Sequence, residues 1–220
     1  MVIAIDGPAG AGKSTVARAV ARELGFTYLD TGAMYRAVAL AAQQDGEPPA
    51  RVAERIDIEV GDRVLVDGHD VTEAIRAPEI SEAASRVAAD PGVRAALVAK
   101  QQALLAEGDW VAEGRDIALV VAPDAAVKVF LTADPDERAR RRAAQRGGDP
   151  AQIRRQQDER DRRDATGGRT VNEPAPDAVP IDTTGLSLDE VVGQVVALVE
   201  RTVAEGEKRG RFSPGSRKSV

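Results

Sequence analysis

An α/β fold built on a five-stranded parallel sheet with flanking helices is predicted by three features of this 220-residue chain. An apolar run, Val2 to Ile5, leads through a glycine-rich segment into a stretch of regular helical spacing. Four further aliphatic runs, Thr27 to Leu29, Trp110 to Ala112, Val127 to Leu131 and Val179 to Ile181, are separated by segments of helical periodicity. Strands that alternate with helices pair in parallel, and the helices then cover both faces of the sheet.

The first helix follows from Val16, Val20 and Leu24, which recur at i, i+4 and i+8, with Gly25 placed to cap its end. Further helices are predicted near Ala33 to Gln43, Glu79 to Ala89, Gly92 to Ala106, Asp136 to Gln145, Gln152 to Arg163 and Ser187 to Glu205. Residues Ile56 to Val71 interrupt the alternation. Ile58, Val60, Val64 and Val66 flank Gly61-Asp62, and a second turn falls at Asp67-Gly68, so a β-hairpin is predicted between the second and third sheet strands. The stripe from Val192 to Val203 reads as a helix face turned to the sheet, and Trp110 as a core residue. One domain is expected over residues 1–205, followed by a polar, net basic and disordered tail over 206–220.

Composition excludes several classes. A net charge of −6 argues against a protein built to coat nucleic acid or an anionic membrane. There is no cysteine for a disulfide or a thiolate metal site, and the single histidine, His69, has no second histidine beside it. No apolar stretch approaches the length of a membrane span and no signal peptide precedes the first strand, so a soluble cytoplasmic protein is expected.

The segment Gly7-Pro8-Ala9-Gly10-Ala11-Gly12-Lys13-Ser14-Thr15 has the spacing G-x-x-x-x-G-K-[ST] of a phosphate-binding loop. Its glycines let backbone N–H groups close on phosphate oxygens, and the N-terminus of the following helix favours an anion. Lys13 is placed to reach the β- and γ-phosphates of a nucleotide, and the Ser14 hydroxyl to ligate Mg²⁺. Motors, switches and kinases share this loop, so other residues must decide the reaction. A guanine-reading Asn-Lys-x-Asp element is absent: the only asparagine, Asn172, is followed by Glu173. Asp182-Thr-Thr-Gly185 imitates a switch motif but reads as a loop after the last strand.

Arginine outnumbers lysine 25 to five. Two clusters stand at strand ends on the side of the loop, where ligands of parallel sheets bind. In Leu29-Asp-Thr31-Gly-Ala-Met-Tyr-Arg36, the Arg36 fork can hold two phosphate oxygens while Thr31 donates a hydroxyl. In Val111-Ala-Glu113-Gly-Arg115-Asp116, Glu113 is placed to act on Mg²⁺ or its waters and Arg115 to neutralise the transferring phosphoryl group. Asp116 can accept from an exocyclic amine.

These strings, with DVTEAIR, EISEAASRVAADPGVRAAL and ERDRRDAT, resemble the bacterial cytidylate kinase family from Val2 to Leu198, in order and with matching spacing. The resemblance implies Mg²⁺- and ATP-dependent phosphoryl transfer to CMP and dCMP by a monomer of the P-loop kinase fold. It implies a nucleoside-monophosphate-binding insertion over about residues 50–90 and an arginine-rich lid over about 141–165, hinged near Gly147-Gly148. Carried over by match, Thr31 and Arg36 hold the acceptor phosphate side, and Ser85 and Asp116 read the cytosine edge with Arg94 nearby. Arg115 and Arg160 bind phosphates, and Asp164 contacts the acceptor ribose or its hydrogen-bond network. Lys13, Arg36, Arg115 and Arg160 make up the expected catalytic set.

Two departures stand out. Ala118, followed by Leu119, replaces the usual glycine and is expected to crowd the acceptor side. Gly167-Gly168 delays the next phosphate-binding arginine to Arg169. Two other readings share the loop: a P-loop kinase acting on UMP, AMP or a metabolite alcohol, and a nucleotide-binding regulator without turnover. The first has no need of Ser85, Arg94 and Asp116, and intact Lys13, Ser14, Arg36 and Arg115 argue against the second.

Overall fold

The computed structural model describes residues 1–61, 63–166 and 173–208. In chain order they form β1 (Val2–Asp6), α1 (Lys13–Leu24), β2 (Thr27–Asp30), α2 (Thr31–Asp45), α3 (Pro49–Arg55), β3 (Ile58–Val60), β4 (Val64–Val66) and β5 (His69–Asp70). There follow α4 (Pro78–Val87), α5 (Pro91–Leu105), β6 (Trp110–Gly114), β7 (Val127–Thr132), α6 (Pro135–Arg146), α7 (Pro150–Thr166), β8 (Val179–Asp182) and α8 (Leu188–Lys208). A 3-10 turn, Ala74–Arg76, precedes α4, and a π-helical turn, Ile117–Val121, follows β6.

The main sheet has the order β2-β6-β1-β7-β8 and is parallel throughout. β1 is buried from both sides, as a central parallel strand must be. Ile3 and Ile5 pack with Val16, Val20 and Val195 of α1 and α8, while Ala4 joins Leu29, Met34, Val38 and Leu97 on the opposite face. Burying each of these larger aliphatic side chains contributes roughly 1.5–3 kcal/mol. The Val192 to Val203 stripe does face the sheet, with Val192, Val195 and Val199 buried. Chain order reverses across β1, so the carboxyl ends of β1, β2 and β6 open onto one crevice.

Several expectations change in detail. The predicted hairpin is a three-stranded antiparallel sheet, β3-β4-β5, because the turn at Asp67 and Gly68 returns the chain for one more short strand. Both residues there have positive φ, 47° and 80°. Helix α3 precedes this sheet and was not foreseen. The Asp30 carboxylate caps α2 by accepting from the Ala33 amide at 2.8 Å, which starts that helix at Thr31 rather than Ala33. Helix α8 runs to Lys208 with Gly206 buried, so residues 206–208 belong to the helix and not to a tail. Residues 209–220 lie outside the described residues, as do Asp62, Gly167, Gly168, Arg169 and Asn172. Trp110 is only partly buried, its indole N–H donating to the Glu107 carbonyl.

Among the described residues no helix is long and apolar enough to cross a membrane.

Candidate active site

The glycine-rich segment joins the end of β1 to the start of α1. Gly7 must be glycine: its φ is 148°, and a β-carbon there would lie 2.1 Å from the Leu131 carbonyl oxygen. Gly12, at φ 93°, precedes α1 without any side-chain cap, which leaves the first amides of the helix open to an anion. The Lys13 ammonium donates to the Pro8 carbonyl at 3.0 Å. Burial, and then the neighbouring Arg115, lower its pKa from 10.5 to about 8.

Strand pairing brings Glu113 to this loop, because β6 lies directly beside β1 with Glu113 opposite Ile5. The Ser14 hydroxyl donates to Glu113 Oε1 at 2.5 Å, and the Tyr28 hydroxyl approaches the same oxygen at 3.2 Å. Burial and the nearby Asp30 raise the Glu113 pKa, against the opposing pull of Lys13. Among the described residues no group of three or more metal-ligating side chains occurs, so Glu113 and Ser14 stand as a pair.

Two clefts flank the loop. The larger, of about 630 Å³, runs along Gly10 to Val16 and is lined by apolar Leu186, Leu188 and Val191 together with Arg141 and Arg142. The smaller, of about 250 Å³, is lined by Arg36, Arg76, Arg115, Arg142 and Arg160 together with Thr31, Ser85, Glu113 and Asp116. Lys13 and Ser14 belong to both walls, so the two clefts meet at the loop.

The residues singled out from the sequence gather around the smaller cleft. Thr31 is buried and donates from Oγ1 to the Glu113 carbonyl at 2.7 Å, while Arg36 pairs with Asp30 at 2.9 Å. Arg94 and Asp164 are not part of the wall; each bonds a residue that is. Arg94 pairs with Asp116 at 2.7 Å, and the Ser85 hydroxyl donates to Asp164 Oδ1 at 3.0 Å. Arg115 joins two carboxylates of α7, Asp161 at 2.9 Å and Asp164 at 3.0 Å. Arg160 lies 3.9 Å from Asp164, and burial followed by Arg115 lowers its pKa to about 10. In the loop, Thr15 lines the larger cleft, the Ala9 carbonyl accepts from Arg138, and Ala11 is buried in the core.

Two expectations about this region are corrected. Ala118 does not crowd the acceptor side. It is buried in the core while Leu119 points outward, and the Ile117 and Ala118 amides donate to the Asp6 carboxylate at 2.8 Å each. Asp182-Thr-Thr-Gly185 does leave β8 as a loop, but it is not without partners: buried Thr183 bonds the carbonyls of Thr132 and Ala11 and receives Arg141.

Sequence reasoning missed Asp6, Tyr28, Arg76, Arg138, Arg142 and Asp161. Asp6 ends β1 one residue before the motif, a hint that was present. Tyr28, Arg138 and Asp161 carry no local signal, since each bonds a partner far away in the chain.

A glycine loop at a helix N-terminus, on the switch point of a parallel sheet and flanked by an arginine-lined cleft, defines a phosphotransferase of the P-loop class. The cytidylate kinase family model matches residues 3–201, and the chain belongs to that family. A cytidylate kinase from Solibacter usitatus is 46% identical over 94% of this chain and 95% of its own length. One from Pelotomaculum thermopropionicum is 50% identical over 90% of this chain and 95% of its own. Among solved structures, a gluconokinase from Sinorhizobium meliloti superposes with a TM-score of 0.53 at 18% identity, over 96% of this chain and 97% of that one, a likeness of fold alone.

Proposed function

We propose that the protein transfers the γ-phosphoryl group of ATP to CMP and dCMP, giving ADP and CDP or dCDP. The observation that carries this is the meeting of two unequal clefts at Lys13 and Ser14. The larger suits a nucleoside triphosphate along the loop. The smaller, with its arginines and the Ser85, Asp164, Arg94 and Asp116 contacts, suits a nucleoside monophosphate.

Roles follow from position. The N–H-bearing loop amides from Ala9 to Thr15 and the Lys13 ammonium hold the donor phosphates. Arg36, Arg115 and Arg160, with Thr31, hold the acceptor phosphate and the transferring group. Ser85 and Asp116, with Arg94 behind, read cytosine, whose N4 amine donates where uracil can only accept. Asp164, buried behind the wall, serves the hydrogen-bond network of the acceptor ribose through Ser85, whose hydroxyl donates to it. The Ser14 hydroxyl and Glu113 carboxylate are hard oxygen donors side by side, a donor set that fits Mg²⁺, which would supply positive charge against the donor phosphates when bound.

The reaction needs no protein base. An anionic oxygen of the CMP phosphate attacks the γ-phosphorus, the bond to the β–γ bridging oxygen breaks, and ADP leaves. The protein aligns the two nucleotides and offsets the charge with Lys13, Arg36, Arg115 and Arg160. The α6–α7 hairpin acts as the lid that excludes water, with residues 50–90 as the acceptor-binding insertion. One chain supplies both clefts, which supports a monomer as the working unit.

The test is ADP formation from Mg²⁺-ATP with CMP, dCMP, UMP, AMP, GMP and no acceptor in parallel. Selective turnover of CMP and dCMP over a low background is expected. A flat response, or ATP loss without an acceptor, would overturn the proposal.

A further inference from the structure

The α6–α7 hairpin is fastened to the phosphate loop by one continuous chain of hydrogen bonds. Arg138 of α6 donates from Nη1 to the Ala9 carbonyl at 3.0 Å and to Asp161 Oδ2 at 2.8 Å. The other oxygen of Asp161 accepts from Arg115 Nη1 at 2.9 Å. Ala9 and Arg115 line the smaller cleft, whereas Arg138 and Asp161 line neither cleft and are buried. Gln157 of α7 seals the same joint, its amide nitrogen 2.8 Å from where a β-carbon on Gly10 would stand.

This arrangement is poorly explained by stability alone. A buried ion pair rarely stabilises a fold more than an apolar replacement of equal volume would. What it supplies is geometry: Asp161 sets the Arg115 guanidinium at a fixed position relative to the phosphate loop, and does so only while the hairpin is docked. Asp164 also holds Arg115, but Asp164 is shared with Ser85 and, on the proposed function, with the acceptor. Asp161 then remains as the dedicated anchor.

We propose that Arg138 and Asp161 are positioning residues that couple docking of the α6–α7 hairpin to placement of Arg115 against the transferring phosphoryl group. The inference rests on the proposed kinase reaction, and neither residue touches substrate. Part of the Arg115 contribution is thereby conditional on closure, which favours transfer to an acceptor over loss to water.

A kinetic cycle on the full chain tests this, with Asp161→Asn, Arg115→Gln and the double variant assayed for ATP:CMP transfer after a thermal melt has shown each to be folded. Asp161→Asn is expected to lower kcat about tenfold or more with little change in KM for ATP. Arg115→Gln is expected to lose about a thousandfold. The double variant should then match Arg115→Gln within about threefold, because Asp161 acts through Arg115. Multiplicative losses, or a lower melting temperature with kcat intact, would overturn the inference. Arg138→Met keeps the side-chain bulk but removes both bonds made by Nη1, and carries the same expectation should Asp161→Asn not fold. A wild-type protein that fails to phosphorylate CMP and dCMP would overturn the kinase reading itself, whereas an additive cycle in an active enzyme overturns only the positioning role.

Discussion

Ser14 at the start of α1 and Glu113 near the end of β6 are 99 positions apart in the chain and meet at 2.5 Å, Oγ to Oε1. Neighbouring parallel strands create this contact, which sets a hydroxyl beside a buried carboxylate, the pair that on the proposed function would hold Mg²⁺. Glu113→Gln keeps the shape and removes the charge. It is expected to raise the Mg²⁺ concentration needed for half-maximal turnover severalfold and to lower kcat by about ten- to a hundredfold, as a Mg²⁺ titration would read. An unchanged Mg²⁺ dependence would remove Glu113 from the metal side.

Lys13 has a lowered pKa of about 8, set first by burial. Donor phosphates restore its charge, so ATP binding at pH 8 is expected to take up about half a proton at this site. Calorimetry in two buffers of different ionisation enthalpy measures that uptake, and Lys13→Ala should abolish it while folding normally and losing transfer by at least about a hundredfold. The sign for folding follows. Between pH 8 and 10.5 the unfolded chain binds more protons here than the folded one, so the contribution of Lys13 to stability rises with pH across that window.

Asp116 is held by Arg94 at 2.7 Å with its carboxylate facing the smaller cleft. Asp116→Asn presents a donor where the cytosine amine needs an acceptor. The ratio of kcat/KM for CMP over UMP is expected to fall about tenfold or more. An unchanged ratio would exclude Asp116 from base reading.

Asp6 accepts two buried amides from the π-helical turn after β6. Asp6→Ala strands both and is expected to destabilise the protein by about 2–4 kcal/mol in urea unfolding. Burial raises the Asp6 pKa from 3.8 to about 6, so the folded state binds more protons between those values. Its protonation-linked contribution is complete below pH 3.8 and is lost as pH rises through 6. The gap between wild type and Asp6→Ala should therefore be wider at pH 5 than at pH 8.

The sheet and its loop were legible because their signals are local. Val2 to Ile5, the glycine spacing and the Val16, Val20, Leu24 stripe lie within one short window and need no distant partner. Helix α3 was hidden by brevity and by its Pro48-Pro49 start, and β5, at two residues, is too short for a periodic pattern. Thr31, Arg36, Ser85 and Asp116 could be read because they sit in recognisable strings. Arg138 and Asp161 could not: each is one charge among many on α6 and α7, and only folding reveals that these two turn inward. Ala118 misled because the replacement of a glycine suggests crowding, while the π-helical turn carries its methyl group into the core.

The arginines around the smaller cleft do not wait as naked cations. Arg36 is matched by Asp30, Arg94 by Asp116 and Arg115 by Asp161 and Asp164, so the protein carries its own counterions into the site. An incoming nucleotide thus swaps one anion for another instead of neutralising an open charge. Affinity for nucleotide should in consequence respond to added salt far less steeply than a count of those guanidinium groups would suggest.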